Sequence, residues 1–305
     1  MVFSGMVRKG IALLVLLACI APPLAAQVED QLSAYTGKNA EGFLQPFADA
    51  VGANLNSGIF RSAAIPKVGW NVRLELQVMG VIFPDDVKTF NAITERGFTP
   101  EQHYSLAPTI VGSTKAAYVY GDGGTVFAFP GGLDLHSFAL VVPQLRVGAF
   151  YGTEAIVRFF TAKVGDTDIG DMNLFGFGLR HSISQYFGPA FPVDLAAGFF
   201  WQKFTLGDDL ASSNALSIGV QGSKRLASVF VPYAGLSYDS FSMDVSYTNT
   251  SYGLEAPIDI NYDTSSTMRL TIGFLLNLPG LNVFGEYGIA NQSSFSFGVG
   301  LGFGV

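Results

Sequence analysis

Charged residues recur at every second position within apolar stretches of this 305-residue chain. Arg73 and Glu75, for example, alternate with Val72, Leu74 and Leu76. Arginine binds carboxylates through paired donors, so arginines gathered on one face would suit the anionic head group of a ligand. An equally simple interpretation is a ladder of charges that neutralise one another and fill a narrow interior. The charges placed in this way are Arg73, Glu75, Arg146, Arg158, Arg180, Asp194, Asp244, Arg269 and Glu286.

The alternation itself predicts the elements that carry these charges. Successive side chains of a β-strand point to opposite faces, and this period runs through Trp70–Gly80 and Phe295–Val305. Nine further segments qualify as strands: Ala139–Phe150, Ala155–Val164, Met172–Ser184, Val193–Trp201, Ala215–Ser223, Phe230–Tyr238, Phe241–Tyr247, Met268–Phe274 and Leu281–Ala290. Bacterial single-chain barrels close with an even number of strands, so a twelfth is assigned to Ala116–Ala128. The sequence therefore predicts an all-β, closed, antiparallel transmembrane barrel of about twelve strands, within a range of about ten to fourteen.

Composition supports this class of protein and excludes others. Only 13% of residues are charged and 49% are hydrophobic, whereas soluble domains carry about 25% charged residues. No run of about 18 apolar residues is present, which excludes a helical membrane protein. The net charge of -7 argues against nucleic acid as a partner, because phosphates would be repelled.

Turn signals give the barrel an orientation. Short turns of such barrels face the periplasm and long loops face outward. We expect Asp239–Ser240 and Leu278–Gly280 to be tight periplasmic turns. Phe83–Lys115 and Ser251–Thr267 are then external loops. Aromatic residues near strand ends, such as Trp70, suit the interface between lipid and water.

Residues 1–26 have the pattern of a secretory signal peptide. Positive Arg8–Lys9 precede the apolar run Ile11–Ile20, and the small residues Ala25–Ala26 suit cleavage. Leu16–Cys19 loosely matches a lipoprotein box and offers an alternative processing route. It contains the only cysteine, so no intramolecular disulfide can form. Export followed by barrel assembly predicts the bacterial outer membrane as the location.

Residues 27–66 form a separate N-terminal segment, and the barrel is expected at 67–305. Phe43 and Phe47 recur with other apolar residues at helical spacing, so a short amphipathic helix is predicted. Asn54 and Asn56, with neighbouring glycines, are expected to end it. The helix is predicted either to plug the barrel lumen or to lie in the periplasm outside the pore.

Glycines on the inward faces of strands indicate close packing in the interior. A strand glycine often marks a close approach of another group, although tight curvature explains it equally well. A plug or an apolar ligand would use the room that these residues leave. They are Gly176, Gly178, Gly298, Gly300, Gly302 and Gly304.

Catalytic and metal-binding patterns are not expected. His103, His136 and His181 are far apart in sequence and have no neighbour at metal-ligand spacing. His181 and Ser182 are adjacent on one strand and point to opposite faces, so they cannot form a nucleophile and base pair. We therefore expect no cofactor, no metal and no enzymatic activity, with an outer-membrane hydrolase as the third alternative.

Four segments resemble a family of bacterial outer-membrane barrels of unknown function. They are GFLQPFADAVGANLNSGIF, GWNVRLELQVMG, PQLRVGAFYGTEAIVRFF and GFGLRHSISQYF, and the likeness covers residues 40–305. More distantly, the chain is similar to the long-chain fatty acid transporters. That resemblance implies an N-terminal hatch inside the barrel and sideways passage of hydrophobic compounds into the membrane. The chain departs from it at Asn54–Gly58, where those transporters have an Asn-Pro-Ala type motif, and in its smaller number of strands.

Passive uptake or binding of small hydrophobic compounds is the expected function, with outer-membrane lipid and a small hydrophobic ligand as partners. The alternative is a barrel that anchors or scaffolds envelope components without transport. The sequence does not identify protein partners.

Overall fold

The computed structural model describes residues 35–95, 97–163, 171–187, 191–207, 210–249 and 256–304. The predicted signal peptide, 1–26, lies outside the described residues. Within these ranges the chain forms one α-helix, α1 (Gly37–Leu55), and fourteen strands. The strands are β1 (Asn71–Ile82), β2 (Thr89–Ile93), β3 (His103–Pro108), β4 (Ala117–Tyr120), β5 (Val126–Phe129), β6 (Ser137–Phe150), β7 (Thr153–Lys163), β8 (Asp171–Ser182), β9 (Asp194–Leu206), β10 (Ala211–Ser223), β11 (Phe230–Asn249), β12 (Ala256–Leu278), β13 (Leu281–Ile289) and β14 (Ser294–Gly304).

Ten strands, β1 and β6 to β14, close into one antiparallel barrel. Each strand from β6 onward pairs with its neighbour in sequence, and β1 pairs with both β14 and β6 to complete the circle. The prediction of a closed, antiparallel all-β barrel is confirmed. The barrel has ten strands, at the lower limit of the predicted range and two fewer than the twelve assigned from sequence.

One source of the miscount is β11. Phe230–Tyr238 and Phe241–Tyr247 were expected as two strands with a turn at Asp239–Ser240, but they form one continuous strand. The pairing of β11 with β12 shifts register between Asp239 and Phe241. Asp239 is buried because its carboxylate accepts hydrogen bonds inside the barrel, so the polar pair that resembles a turn is an inward contact.

The second source is Ala116–Ala128, which lies outside the barrel. It contains the two-stranded hairpin of β4 and β5. The predicted loop Phe83–Lys115 contains another hairpin, β2 with β3. We call residues 83–136, which connect β1 to β6, the hairpin cap, and the barrel end beside it the hairpin end. The opposite end carries the tight turns Tyr151–Gly152 and Pro279–Gly280 and is called the turn end.

The predicted loop Ser251–Thr267 is largely strand. β12 begins at Ala256, and its first residues pair with the hairpin-end part of β11. Thr264 lies opposite Phe241 and Thr267 opposite Asp239, so β12 carries one extra residue there. Such a bulge exchanges the inward and outward faces, which breaks the alternation that would reveal the strand.

The inner and outer faces follow the alternation in β1. Leu74 and Leu76 are 58% and 41% exposed, whereas Glu75 and Gln77 are buried. The same apolar exposure occurs on the outer face of most other barrel strands, as at Phe297 and Leu301. Polar side chains therefore face the interior, as their period predicts.

Helix α1 lies inside the barrel, where it contacts β1, β6, β11, β12 and β14. It ends at Leu55 with Asn56 as its C-cap, close to the predicted end at Asn54 and Asn56. Gly52 lets the Phe241 ring approach the helix, since a Cβ there would lie 2.7 Å from the Phe241 Cγ atom. Tyr262 donates from its hydroxyl to the Ala40 and Glu41 carbonyls. Within the described ranges, no helix is long and apolar enough to cross a bilayer.

The hairpin half of the interior is an apolar core around α1. Phe43, Leu44 and Val51 of the helix are buried there with wall residues such as Met79 and Met243. Aromatic side chains of the hairpin cap continue this core over the start of the helix. The rest of the interior holds most of the predicted charges beside a smaller apolar cluster that includes Phe60 and Phe284.

Candidate functional site: the filled barrel lumen

A buried cluster of ionic side chains fills the middle of the barrel. Six charged side chains of the wall project inward around Arg61, which follows α1. They are Glu75 of β1, Arg146 of β6, Glu154 and Arg158 of β7, Arg180 of β8 and Glu286 of β13. We call these seven residues the central cluster. Alternation places one or two of these charges on each strand, and antiparallel pairing brings them to similar depth.

Two carboxylates link the cluster into a chain of ion pairs. Glu75 Oε2 accepts hydrogen bonds from Arg61 Nη2 and Arg146 Nε, both at 3.1 Å. Glu154 Oε1 accepts from Arg146 Nη1 at 2.9 Å and from Arg180 Nη2 at 2.6 Å. Arg146 therefore bridges the two glutamates, and charge-assisted bonds hold β1, β6, β7 and β8 to the segment after α1.

Backbone carbonyls of the N-terminal segment complete the cluster. Arg158 Nη1 donates to the Leu55 carbonyl at 3.1 Å and Arg158 Nη2 to the Ser57 carbonyl at 2.6 Å. Arg146 Nη2 donates to the Ile59 carbonyl at 2.7 Å. Leu55 ends α1, where unpaired carbonyls and the negative end of the helix dipole favour a cation. The barrel wall thus caps the helix with Arg158.

Arg61 anchors the segment from its own side. Its Nη2 atom also donates to Gln77 Oε1 at 3.1 Å, and its Nη1 atom lies 3.6 Å from Glu286 Oε2. The guanidinium carbon lies 3.3 Å from the centroid of the Phe284 ring. Sequence reasoning missed Arg61 because its segment has no strand alternation. The available signal was that Arg61 is the only charge between residues 51 and 66.

Gly58 allows the segment to turn within the cluster. Its φ is +69°, a left-handed conformation that favours glycine. A Cβ atom there would lie 2.5 Å from Gln77 Oε1. The Gly58 N–H donates to Glu286 Oε1 at 2.5 Å, so the turn also helps to hold this carboxylate.

Glu95 of the hairpin cap holds the other end of α1. Its carboxylate accepts from the Thr36 N–H at 3.1 Å and from Asn39 Nδ2 at 2.5 Å. A carboxylate suits the positive end of the helix dipole. Burial and the nearby Glu95 charge raise the pKa of the Tyr35 hydroxyl well above its usual range, so this residue stays neutral.

The predicted plug residues all contact the wall or the core. Phe43 is fully buried, and the Phe47 ring lies 5.0 Å from that of Phe138. Asn54 donates to the Phe138 carbonyl at 3.4 Å, and Asn56 donates to the Ser240 carbonyl at 3.2 Å.

The other predicted charges lie in separate places. Arg269 pairs with Asp239 at 2.6 Å, nearer the hairpin end, and Asp194 is half-buried at the start of β9. Arg73 is half-buried and lines a cavity at the turn end. The inward placement of Asp244 is wrong, because its side chain is exposed. In this part of β11 the apolar face, which includes Met243, is turned inward against the core around α1.

Two cavities flank the central cluster. The turn-end cavity measures about 540 Å³ and lies beside Arg73, Arg180 and Arg225. The hairpin-end cavity measures about 430 Å³ and lies between α1 and the wall, beside Asp49 and Arg269. Arg61, Arg146 and Arg158, which are at most 1% exposed, fill the space between them.

The barrel wall has a lateral seam between β6 and β7. Residues 137–163 are all described, and within them β6 pairs with β7 only from Gln144 to Phe150. The hairpin half of β6 still pairs with β1, and Phe159–Lys163 still pairs with β8. The ladder between β6 and β7 stops at Pro143, which has no N–H to donate.

The seam borders the apolar core. Phe138 and Leu140 on β6 and Phe160 on β7 are partly buried and pack against the cluster that surrounds α1. The unpaired strand segments at this height therefore lie between the outer face of the barrel and its apolar interior.

The predicted inward glycines give room to side chains of neighbouring wall strands, and not to the plug or ligand that was expected to use it. A Cβ at Gly178 would lie 2.5 Å from the Phe200 ring, and one at Gly298 would lie 2.7 Å from that of Phe284. Gly235 serves the N-terminal segment, since a Cβ there would lie 2.4 Å from the Phe60 ring.

His181 lies at the turn end, away from the central cluster. Its Nδ1 atom is 2.8 Å from Thr153 Oγ1 and its Nε2 atom 2.8 Å from Tyr186 Oη. Ser182 is buried and its Oγ atom is 3.3 Å from Ser184 Oγ. Among the residues that the structure describes, no group of His, Cys, Asp and Glu could hold a metal ion.

The fold and lumen define a ten-stranded antiparallel barrel whose interior is occupied by its own N-terminal segment. The chain belongs to the family of unknown function DUF6588, whose profile matches residues 7–303. This confirms the resemblance to a barrel family without assigned function. The likeness to fatty acid transporters stays a prediction. No match to a curated protein was found.

Several solved structures share the barrel form. The outer membrane protease OmpT from Escherichia coli is 8% identical, with a TM-score of 0.37, over 79% of this chain and 98% of that one. The attachment invasion locus protein Ail of Yersinia pestis is 8% identical, with a TM-score of 0.25, over 77% and 98%. The translocator domain of the autotransporter NalP from Neisseria meningitidis is 11% identical, with a TM-score of 0.26, over 85% and 94%. Likeness this low carries no argument about activity.

Proposed function

We propose that the protein is a bacterial outer-membrane barrel that binds small hydrophobic compounds and passes them through its wall, without enzymatic activity. The observation that carries this function is the β6–β7 seam beside an apolar interior.

Membrane insertion is supported by the outer surface. Large apolar side chains are exposed on nine barrel strands, a far larger patch than soluble monomers carry. Trp70, Tyr151 and Tyr186 are exposed at the turn end, where aromatic residues suit the interface between lipid and water. Outer-membrane lipid is therefore the proposed partner of this surface.

Passage through the wall is favoured over passage along the axis. The central cluster occupies the axis with buried ion pairs, and any axial path would have to disrupt them. At the seam, a compound leaving the bilayer meets apolar side chains such as Leu140 and Phe160. Exposing apolar surface to water costs about 25 cal/mol per Å². A hydrophobic compound therefore favours a path along which its surface stays in contact with apolar side chains.

A reversible disulfide across the seam tests this function. If the register of β6 and β7 continued, Leu140 would lie opposite Ala162, so the L140C/A162C double variant can be oxidised to close the gap. The only native cysteine lies in the predicted signal peptide. We expect oxidation to reduce whole-cell uptake of naphthalene to the level of cells without the protein, and reduction to restore it.

The matched control joins the same strands where they already pair. Leu145 lies opposite Val157, so the disulfide of L145C/V157C closes no gap and should leave uptake unchanged. Equal naphthalene uptake by the oxidised and reduced forms of L140C/A162C would refute passage through the seam.

A scaffold without transport is the second candidate, and the filled lumen favours it. Two results together would support the scaffold: cells with the protein take up no more naphthalene than cells without it, and the variant that lacks Gly42–Phe60 shows no conductance in single-channel recording.

A further inference from the structure

The turn-end cavity has the features of a second binding site, separate from the seam. It is bounded by the segment 62–66, the starts and ends of wall strands, and the turn Pro279–Gly280. Its volume of about 540 Å³ is in the range of small-molecule sites, which span about 300–1,000 Å³. Arg225 and Leu278 on its rim are exposed, so the cavity reaches the surface.

Buried polar groups on the cavity wall have unused hydrogen-bonding capacity. Arg180 is 3% exposed, and two of its nitrogen atoms bind Glu154. Its remaining atom, Nη1, is buried and has no hydrogen-bond partner among the described residues. Asn282 also lines the cavity, and its Oδ1 atom is buried without a partner among the described residues, but as an acceptor it would not bind an anion. Buried polar atoms are nearly always paired, so the donor Arg180 Nη1 points to an acceptor on a ligand.

The charges on the cavity select an anion. Among the described residues, Arg73, Arg180 and Arg225 line it together with a single carboxylate, that of Glu154. Glu154 is already bound to Arg146 and Arg180, which leaves the cavity with an excess of positive charge.

One wall of the cavity is apolar. Ile65, Val231 and Leu275 line it and are each less than 8% exposed. A ligand that fills the cavity therefore needs an apolar part opposite the arginines.

We propose that the turn-end cavity binds an amphipathic anion, with a carboxylate or phosphate held by Arg73, Arg180 and Arg225 and an apolar body against Ile65, Val231 and Leu275. This site does not depend on the seam, because the central cluster separates it from the apolar core.

Calorimetric titration of the full chain in lipid nanodiscs tests the site, with empty nanodiscs subtracted. The probes are hexanoate, hexyl phosphate, inorganic phosphate and the neutral hexanol. We expect hexanoate and hexyl phosphate to bind at least tenfold more tightly than hexanol. The tighter of the two anions identifies the head group, and inorganic phosphate should bind more weakly than hexyl phosphate.

Two variants and a matched control assign the binding to this cavity. R73Q and R225Q should each weaken hexanoate binding about tenfold, the effect of losing one charge-assisted hydrogen bond. K224Q removes the same charge from the neighbouring residue, which does not line the cavity, and should bind like the wild type.

Three results would overturn the proposal: equal affinity of R73Q, R225Q and K224Q, hexanol binding as tightly as hexanoate, or inorganic phosphate binding as tightly as hexyl phosphate. None of them bears on naphthalene uptake, so failure of this site and failure of the seam are distinguishable.

Discussion

Replacement of Arg61 by methionine should loosen the N-terminal segment inside the barrel. The variant loses the contact with Glu75 at 3.1 Å, the contact with Glu286 at 3.6 Å and a hydrogen bond to Gln77. Removing one partner of a buried ion pair costs about 3–5 kcal/mol. Glu75 keeps Arg146 at 3.1 Å, so we expect the lower end, about 3 kcal/mol.

Single-channel recording in planar bilayers measures this loss directly. A change of about 3 kcal/mol raises the population of the displaced segment roughly 100-fold, and the time spent in a conducting state should rise by the same factor. The control is K67M, because Lys67 lies in the same segment and its side chain donates an exposed hydrogen bond to the Gln185 carbonyl. Openings of R61M no more frequent than those of K67M would show that Arg61 does not hold the segment.

Three further substitutions test the packing of the segment. R158Q removes the charge that caps α1 and should lower the free energy of unfolding by about 2 kcal/mol in a urea titration; an unchanged midpoint would contradict the capping role. G235L should lower the free energy of unfolding by about 1–3 kcal/mol in the same assay, because its Cβ meets the Phe60 ring. The double variant G235L/F60A should recover part of this loss, and no recovery would place the clash elsewhere. E95Q should weaken the start of α1 by about 0.5–1 kcal/mol, seen as faster hydrogen exchange of its first-turn amides, whereas equal exchange rates would argue against a contribution from the Glu95 charge.

Strands with an apolar outer face and a polar inner face could be predicted from sequence with the correct faces, whereas strand parts with an apolar inner face could not. β1 shows its alternation because one face is apolar and exposed while the other is polar and buried. The hairpin-end parts of β11 and β12 turn apolar side chains inward against α1, and the bulge in β12 shifts the phase. Asp244 was therefore assigned to the wrong face, and one strand was divided at Asp239–Ser240.

The central cluster was predictable only where its members lie on strands. Arg146, Arg158 and Glu75 follow from alternation, and Glu154 could have been found because it has the same parity as Arg158 on β7. Arg61 could not be found by this rule, since its contacts depend on how the segment crosses the lumen. The seam could not be predicted either. The sequence shows Pro143 but does not show whether β6 stops pairing with β1 or with β7 at this residue.

The central cluster also explains why the interior tolerates more arginines than glutamates. Four arginines and three glutamates form it, and an unpaired buried charge would be costly. Arg158 avoids this cost through the carbonyls of Leu55 and Ser57, at the negative end of α1. The wall and the segment therefore stabilise each other, and a barrel without the segment would have to solvate these arginines. The N-terminal segment is thus part of the stable fold. A compound that follows the proposed path through the seam would break fewer of its contacts than one that moves along the barrel axis.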